Sequence, residues 1–303
     1  MITRDIAAFI AHARGCRADV GPPTARAAFL VAPDGFGRAE QSASDNRYMA
    51  AADSYDATRA SAQHRVLQRA LSQALPTLCF PGDPRAPDAL FPNNVFATVA
   101  GRLIVGRMRH PVRQREATRS DIRGFFTDVL GYATADLSDQ PHACELTGAL
   151  VIDRARGLGF CGLSERCDVA GARLMHDAFG LRATLLFDLA AGEYHTNVVL
   201  AVLAGRAALV CAEGFADAAV PEAIAALYAP HGIALSAAEQ AAFAGNAISI
   251  APDRVCMSAG AAQALSPASS AALALAGFAI DTVPLDAIEA AGGSLRCCVA
   301  EIY

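Results

Sequence analysis

Four stretches of this chain read as two apolar runs joined across a tight turn: NVFATVAGRLIVGRM, ALVIDRARGLGFCG, NVVLAVLAGRAALVC and AISIAPDRVCMS. The pattern predicts β-hairpins, and Gly-Arg, Asp-Arg and Pro-Asp are suitable chemistry for their turns. The turns centre near Arg102, Arg154, Gly205 and Asp253, so the unit recurs at intervals of about 50 residues. Helical periodicity fills the gaps over 120–131, 168–179, 221–230 and 259–276. Each helix leads into one more short strand, in YATADL, LRATLLFDL, GIALS and FAIDTVPL. A fifth unit is incomplete: it has AAFLVAP, a helix over 55–75 and TLCF, but no hairpin partner of its own.

The closing segment GGSLRCCVAEIY supplies that partner. Gly292-Gly293 breaks the preceding helical pattern, and 295–302 reads as a strand. Leu295, Cys297, Val299 and Glu301 would face one way, and Arg296, Cys298, Ala300 and Ile302 the other. The two adjacent thiols would then see different surroundings. Pairing of 295–302 with the strand near Phe29–Ala32 would close five strand–strand–helix–strand units into a ring. The expected fold is therefore α/β, a five-bladed propeller of pseudo-fivefold symmetry forming one domain over 1–303. An open α/β sheet with coincidental spacing is the alternative. In a ring, loops distant in sequence meet at a central opening.

Composition narrows the function classes. Apolar residues make up 53% and charged residues 18% of 303, which fits a packed core and argues against disorder. A net charge of −5 without a basic run argues against a nucleic-acid partner. Nine cysteines without dense spacing fit a reducing, cytoplasmic setting. No CxxC or HxxxH spacing offers a metal site, and no cofactor is implied. The start, MITRDIAAFIAHARGCR, reads as a short amphipathic helix rather than a signal peptide. The uncharged stretch Ser258–Ile280 is long enough to span a bilayer, but Gln263, Pro267 and several serines interrupt it, so no membrane span is expected.

Cysteine chemistry needs a thiolate, a proton carrier and a group that orients the carrier. Among seven histidines, His195 stands immediately before a hairpin strand, in GEYHTNVV. Glu145 holds the corresponding place in CELTGALVID, and Asn93 and Asn94 in FPNNVFATV. Polar residues thus recur at the mouth of three units, where each would border the central opening. A carboxylate beside an imidazole would orient it and favour its protonated form. On local grounds alone, Asn93-Asn94 reads as a turn pair.

The combination resembles the guanidine-modifying (pentein) superfamily of arginine deiminases, dimethylarginine dimethylaminohydrolases, agmatine deiminases and amidinotransferases. It is most similar to bacterial citrulline-utilisation hydrolases and arginine-dihydrolase-like proteins. Seven pieces carry the resemblance in family order: GFGRAEQSASDN, PDALFPNNV, MRHPVRQRE, ELTGALVIDR, FCGLSERCD, YHTNV and GGSLRCC. The resemblance implies Cys297 as nucleophile, His195 as general acid/base and Glu145 as the orienting acid, with Cys298 a packing residue. It also implies substrate contacts from Phe91, Asn93, Asn94 and Asn197, and from Arg113, whose bidentate fork suits a substrate carboxylate.

Two positions depart from the arginine-processing pattern. Asn94 and Asn197 stand where carboxylates usually clamp a guanidinium. An amide both donates and accepts, which suits a neutral ureido group. Leu146 also replaces a glycine of the usual Glu-Gly-Thr-Gly. The expected function is a cysteine-dependent hydrolase releasing ammonia from the ureido or guanidino group of a citrulline- or arginine-type amino acid. Alternatives are an arginine deiminase or dimethylarginine hydrolase binding its cation through other acids such as Asp45 or Glu40, and an inactive ring serving as a binding module. A homodimer is compatible with this reading.

Overall fold

The computed structural model describes residues 1–303, the side chain at position 52 excepted. Its strands form five small sheets, which excludes a single open sheet. In four of them a hairpin carries a third strand, parallel to the hairpin's second strand. These are Phe96–Val99 and Arg102–Val105 with Ala133–Asp136, and Leu150–Asp153 and Leu158–Leu163 with Ala183–Asp188. Leu200–Leu203 and Ala207–Cys211 join Gly232–Leu235, and Ile248–Ala251 and Arg254–Ser258 join Ala279–Val283. The fifth sheet uses both ends of the chain. Ala300–Ile302 runs antiparallel to Ala27–Val31, with Ala300 opposite Phe29, and Thr77–Phe80 lies parallel on the other side. Ile2–Thr3 extends the second sheet beside Ala183–Asp188.

Turn chemistry explains the hairpins. Ala204 and Gly205 both have positive φ, 46° and 66°, the twist that a two-residue hairpin turn requires. The helices follow the apolar periodicity, with two refinements. The run over 120–131 is Ser120–Gly124 continued by a π-helical turn, Phe125–Val129. The run over 259–276 breaks into Ala259–Ala264 and Pro267–Leu275, because Pro267 starts a new helix capped by the Ser266 hydroxyl. No helix is long and apolar enough to cross a membrane.

The C-terminal segment corrects the expected register. Only Ala300–Ile302 is strand, whereas Leu295–Cys298 is a single helical turn. Gly292, at φ 74°, reverses the chain ahead of it. Within it the Cys297 N–H donates to Ser294 O at 3.1 Å, and Val299 N–H to Arg296 O at 3.3 Å. These local bonds replace sheet pairing. The thiols still diverge, but because of the helical turn and not a pleat: both belong to one core cluster with Leu67, Val283 and Ile288, yet Cys297 lines a cavity that Cys298 does not.

Similar one-turn helices precede the first strand of other sheets, at Pro92–Asn94, Leu146–Ala149 and Thr196–Val199. Pro92–Asn94 packs on Leu146–Ala149 and on Leu295–Cys298, and Leu146–Ala149 packs on Thr196–Val199. Four turns far apart in sequence therefore meet. Ending the chain after Gly293 would strip Ala27–Val31 of its partner and expose the edge of a strand whose residues 28–30 are fully buried. That truncation is expected to yield no soluble, monodisperse protein by size-exclusion chromatography; a stable monomer would show that the last strand is dispensable.

Candidate active site

Glu145 and His195 occupy the same structural place, each capping the N-terminus of its one-turn helix. His195 Nε2 lies 2.8 Å from Glu145 Oε2, and both residues are fully buried. Arg166 Nη1 donates to the same oxygen at 3.3 Å, while the Arg109 N–H donates to Oε1 at 3.0 Å. Burial alone would raise the Glu145 carboxyl, but Arg166, His195 and Arg113 outweigh it and hold it well below the usual carboxylate range. The ionised carboxylate takes the Nε2 hydrogen bond, so the neutral ring carries its lone pair on Nδ1, which has no partner in the protein.

Glu145 favours the protonated imidazole, as expected, but does not decide the balance. Burial, with Arg166 and Arg113 nearby, outweighs the attraction of Glu145 and lowers the His195 pKa. Cys297 is likewise biased towards its neutral form. Burial raises its thiol pKa against opposing effects from Asn246, the Ser294 backbone contact, Arg296 and Asn197. Asn246 Nδ2 approaches Sγ to 3.3 Å, and the Asn197 amide lies 3.7 and 3.8 Å away through its nitrogen and oxygen.

Cys297 and His195 line one cavity with Asn94, Phe91 and Arg113. Its volume of about 20 Å³ has room for roughly one water. The remaining expected residues border it less directly. Glu145 stands behind His195, and Asn197 lines a separate small cavity beyond the thiol. Asn93 is buried with neither side-chain polar atom paired, and its carbonyl accepts from Thr147 Oγ1 at 3.0 Å. Asn94 Oδ1 also has no partner.

Arg113 requires a further correction. Its fork is taken by Glu116, through Nε to Oε1 at 2.9 Å and Nη2 to Oε2 at 2.8 Å. Nη2 also donates to the carbonyls of Asp88 and Phe91. The edge expected to receive a substrate carboxylate is thus satisfied internally.

Leu146 adopts φ 23°, in the region that favours glycine. Such strain costs on the order of 1–3 kcal/mol, which the full burial of its side chain offsets by roughly 1.5–3 kcal/mol. Two residues on, Gly148 has no room for a side chain. A Cβ there would lie 2.5 Å from Asn94 Oδ1 and 2.9 Å from His195 Nδ1.

Three participants escaped the sequence reading, and a fourth, Asp45, entered it only as an alternative acid for a cationic substrate. Asp88 lines the cavity with Oδ1 unpaired, Arg166 and Asp45 form a bidentate pair at 2.8 and 2.5 Å, and Asn246 touches the thiol. Asn246 alone left a usable signal: it stands two residues before strand Ile248–Ala251, as Asn94 does before Phe96–Val99. Among the described residues no cluster of three or more His, Cys, Asp or Glu is placed to hold a metal ion.

Several solved structures share this fold. The N-terminal domain of ArgZ, an arginine dihydrolase from the ornithine-ammonia cycle in cyanobacteria, was solved with substrate as a cysteine-to-serine mutant. It is 20% identical, with TM-score 0.80, over 91% of this chain and 97% of that one. AgrE, solved as a cysteine-to-alanine mutant with L-arginine, is 21% identical with TM-score 0.78, over 91% of this chain and 40% of its own. A dimethylarginine dimethylaminohydrolase in an adduct with S-methyl-L-thiocitrulline is 18% identical with TM-score 0.68, over 92% of this chain and 100% of that one. No curated protein sequence matches significantly. The expected superfamily is borne out, and the chain is a pentein hydrolase acting on C–N bonds of guanidino-type groups. It belongs to the N,N dimethylarginine dimethylhydrolase family: residues 32–303 match the eukaryotic model of that family.

Gly148→Ala is expected to push Asn94 and His195 apart, destabilising the fold by about 1–3 kcal/mol and lowering kcat/KM by about 100-fold. Steady-state kinetics and a thermal melt check both. Cys298→Ala is expected to cost about 1 kcal/mol in denaturant unfolding while turnover is retained. Loss of turnover in that variant would mean that the two thiols have been assigned the wrong way round.

Proposed function

We propose that the protein hydrolyses the guanidino group of an arginine-type amino acid, and the ureido group that results, with Cys297 as nucleophile. His195 takes the thiol proton, and the thiolate adds to the central carbon. The imidazolium then protonates a departing nitrogen, the C–N bond breaks, and ammonia leaves an S-linked intermediate. His195 next takes a proton from water as its oxygen adds to the same carbon. Return of that proton to sulfur breaks the C–S bond, and the protonated ureido product loses its proton to solvent. Glu145 holds the imidazole through both halves. Supporting context comes from the structural neighbours, which include an arginine dihydrolase and a covalent reaction intermediate of it.

The observation that carries the substrate reading is the pair of amides at the reacting centre. Asn197 adjoins the thiol, and Asn94 borders the cavity with an unpaired carbonyl oxygen. That oxygen can accept from a guanidinium, and the amide nitrogen can donate to a ureido carbonyl, so amides serve both head groups. Asp88, a buried carboxylate with one oxygen free, adds an acceptor for a cationic substrate.

We also infer that the five sheets are blades of one closed ring forming a single domain. This is supported by their shared strand order and by the pairing of Ala300–Ile302 with Ala27–Val31.

Ammonia release should be measured across arginine, citrulline, methylated arginines and agmatine. The wild type is expected to release ammonia from citrulline, alone or as a second step after arginine, and Cys297→Ser from none of them. Asn94→Asp should shift the ratio of kcat/KM towards the guanidinium substrate by at least about tenfold, roughly 1.4 kcal/mol. Turnover of guanidinium compounds only, stopping at the ureido product, would overturn the two-head-group reading.

A further inference from the structure

Asn246 is fully buried, lines no cavity with the expected substrate residues, and stands just before a sheet that otherwise contributes nothing to the site. Of the two side-chain amides at the thiol, its amide nevertheless lies the nearer. Nδ2 donates to Cys297 Sγ at 3.3 Å and to Asn197 O at 2.8 Å, while Oδ1 accepts from the Arg296 N–H at 3.0 Å.

These contacts fix which way the amide points. The Arg296 N–H can only donate and the Asn197 carbonyl can only accept, so a flipped amide would oppose like groups at both ends. With Oδ1 committed to Arg296 and one hydrogen of Nδ2 to Asn197, the second hydrogen faces sulfur. Asn197 has no comparable constraint, since both ends of its amide lie at nearly equal range from Sγ. A fixed N–H donor facing sulfur favours the anion over the thiol, because hydrogen bonds to a charged acceptor are about twice as strong as neutral ones.

On the reading that Cys297 is the nucleophile, we propose that Asn246 is a catalytic residue whose side-chain amide donates to Cys297 Sγ, supports the thiolate and aims it. Asn246 also ties the His195 turn to the Cys297 turn, through Asn197 O and Arg296 N. Only part of that tether depends on the side chain, since the Arg296 N–H also lies 3.3 Å from the backbone oxygen of Asn246. Removing the amide therefore leaves the turn anchored while withdrawing the donor.

Asn246→Leu keeps the approximate shape without the donor, and Asn246→Ala removes the bulk as well. The thiolate of Cys297 is read as the ultraviolet absorbance difference between each protein and its own Cys297→Ser partner, titrated against pH. Both variants are expected to titrate at least about one pH unit above wild type. Their kcat at neutral pH should fall by at least about tenfold, the deficit shrinking as pH rises, with KM little changed. Circular dichroism verifies folding, and a purely structural role would lower activity at every pH without moving the titration. An unmoved titration in either folded variant, with Cys297→Ser inactive, overturns this inference alone. Retained turnover in Cys297→Ser overturns the nucleophile assignment and this inference together.

Discussion

Glu145 is a carboxylate without solvent that nonetheless stays charged, and the site is organised around that constraint. Withdrawing such a group from water costs several kcal/mol even after the protein relaxes. Compensation comes from Arg166 and His195 on one oxygen and the Arg109 N–H on the other. Arg166 is itself buried, so it needs a second acid, and Asp45 meets it with both oxygens. Asp45 in turn faces His110 at 3.1 Å. The chain of compensation runs from the reacting centre to the half-buried His110. It ties loops near residues 45, 110 and 166 to Glu145 and His195, so breaking one link strands a buried charge rather than merely losing a contact.

That network can form because the chain delivers one kind of turn to one place repeatedly. Glu145 and His195 both cap a one-turn helix, and Asn94, Gly148 and Cys297 each stand third in theirs. A shared backbone position thus carries an acceptor, an empty space and the proposed nucleophile in turn. The glycine follows from crowding, since neighbouring turns bring Asn94 and His195 within contact of its missing Cβ. Leu146 shows the opposite compromise, accepting a strained φ for a side chain that fills the core beside Gly106.

The hairpins, their parallel third strands and the pairing of the chain's two ends were legible from apolar periodicity, because strand period and turn residues are local properties. The separation of the two final thiols was also legible, though for the wrong reason. A four-residue turn stabilised by its own i to i+3 bonds has the same composition as a short strand. Arg113 and Arg166 mark the limit of such reading. A buried arginine and a substrate-facing one look alike in sequence, and only the position of Glu116 and Asp45 in space distinguishes them. Asn246 was legible in principle, as the fourth polar residue ahead of a first hairpin strand. It escaped because a lone asparagine after glycine is also ordinary turn chemistry.

On the proposed roles, the two reacting groups, Cys297 and His195, both favour their neutral forms, for the same reason. Burial disfavours the thiolate of Cys297 and the imidazolium of His195 alike, and the arginines that hold Glu145 ionised also press on His195. On the proposed chemistry, proton transfer from sulfur to Nδ1 creates two charges at once in a dry cavity, which is tolerable only if they form as a close pair with other partners at hand. Glu145 is such a partner for the imidazolium. For the thiolate the protein offers the amides of Asn246 and Asn197, the Ser294 backbone and the charge of Arg296, and an arriving guanidinium would add a further positive charge beside sulfur that a ureido group lacks. The first hydrolysis would then draw on the charge of its own substrate, whereas the second would rest on these protein groups alone. On that proposal the site would admit both head groups while leaving the cationic one the easier to attack.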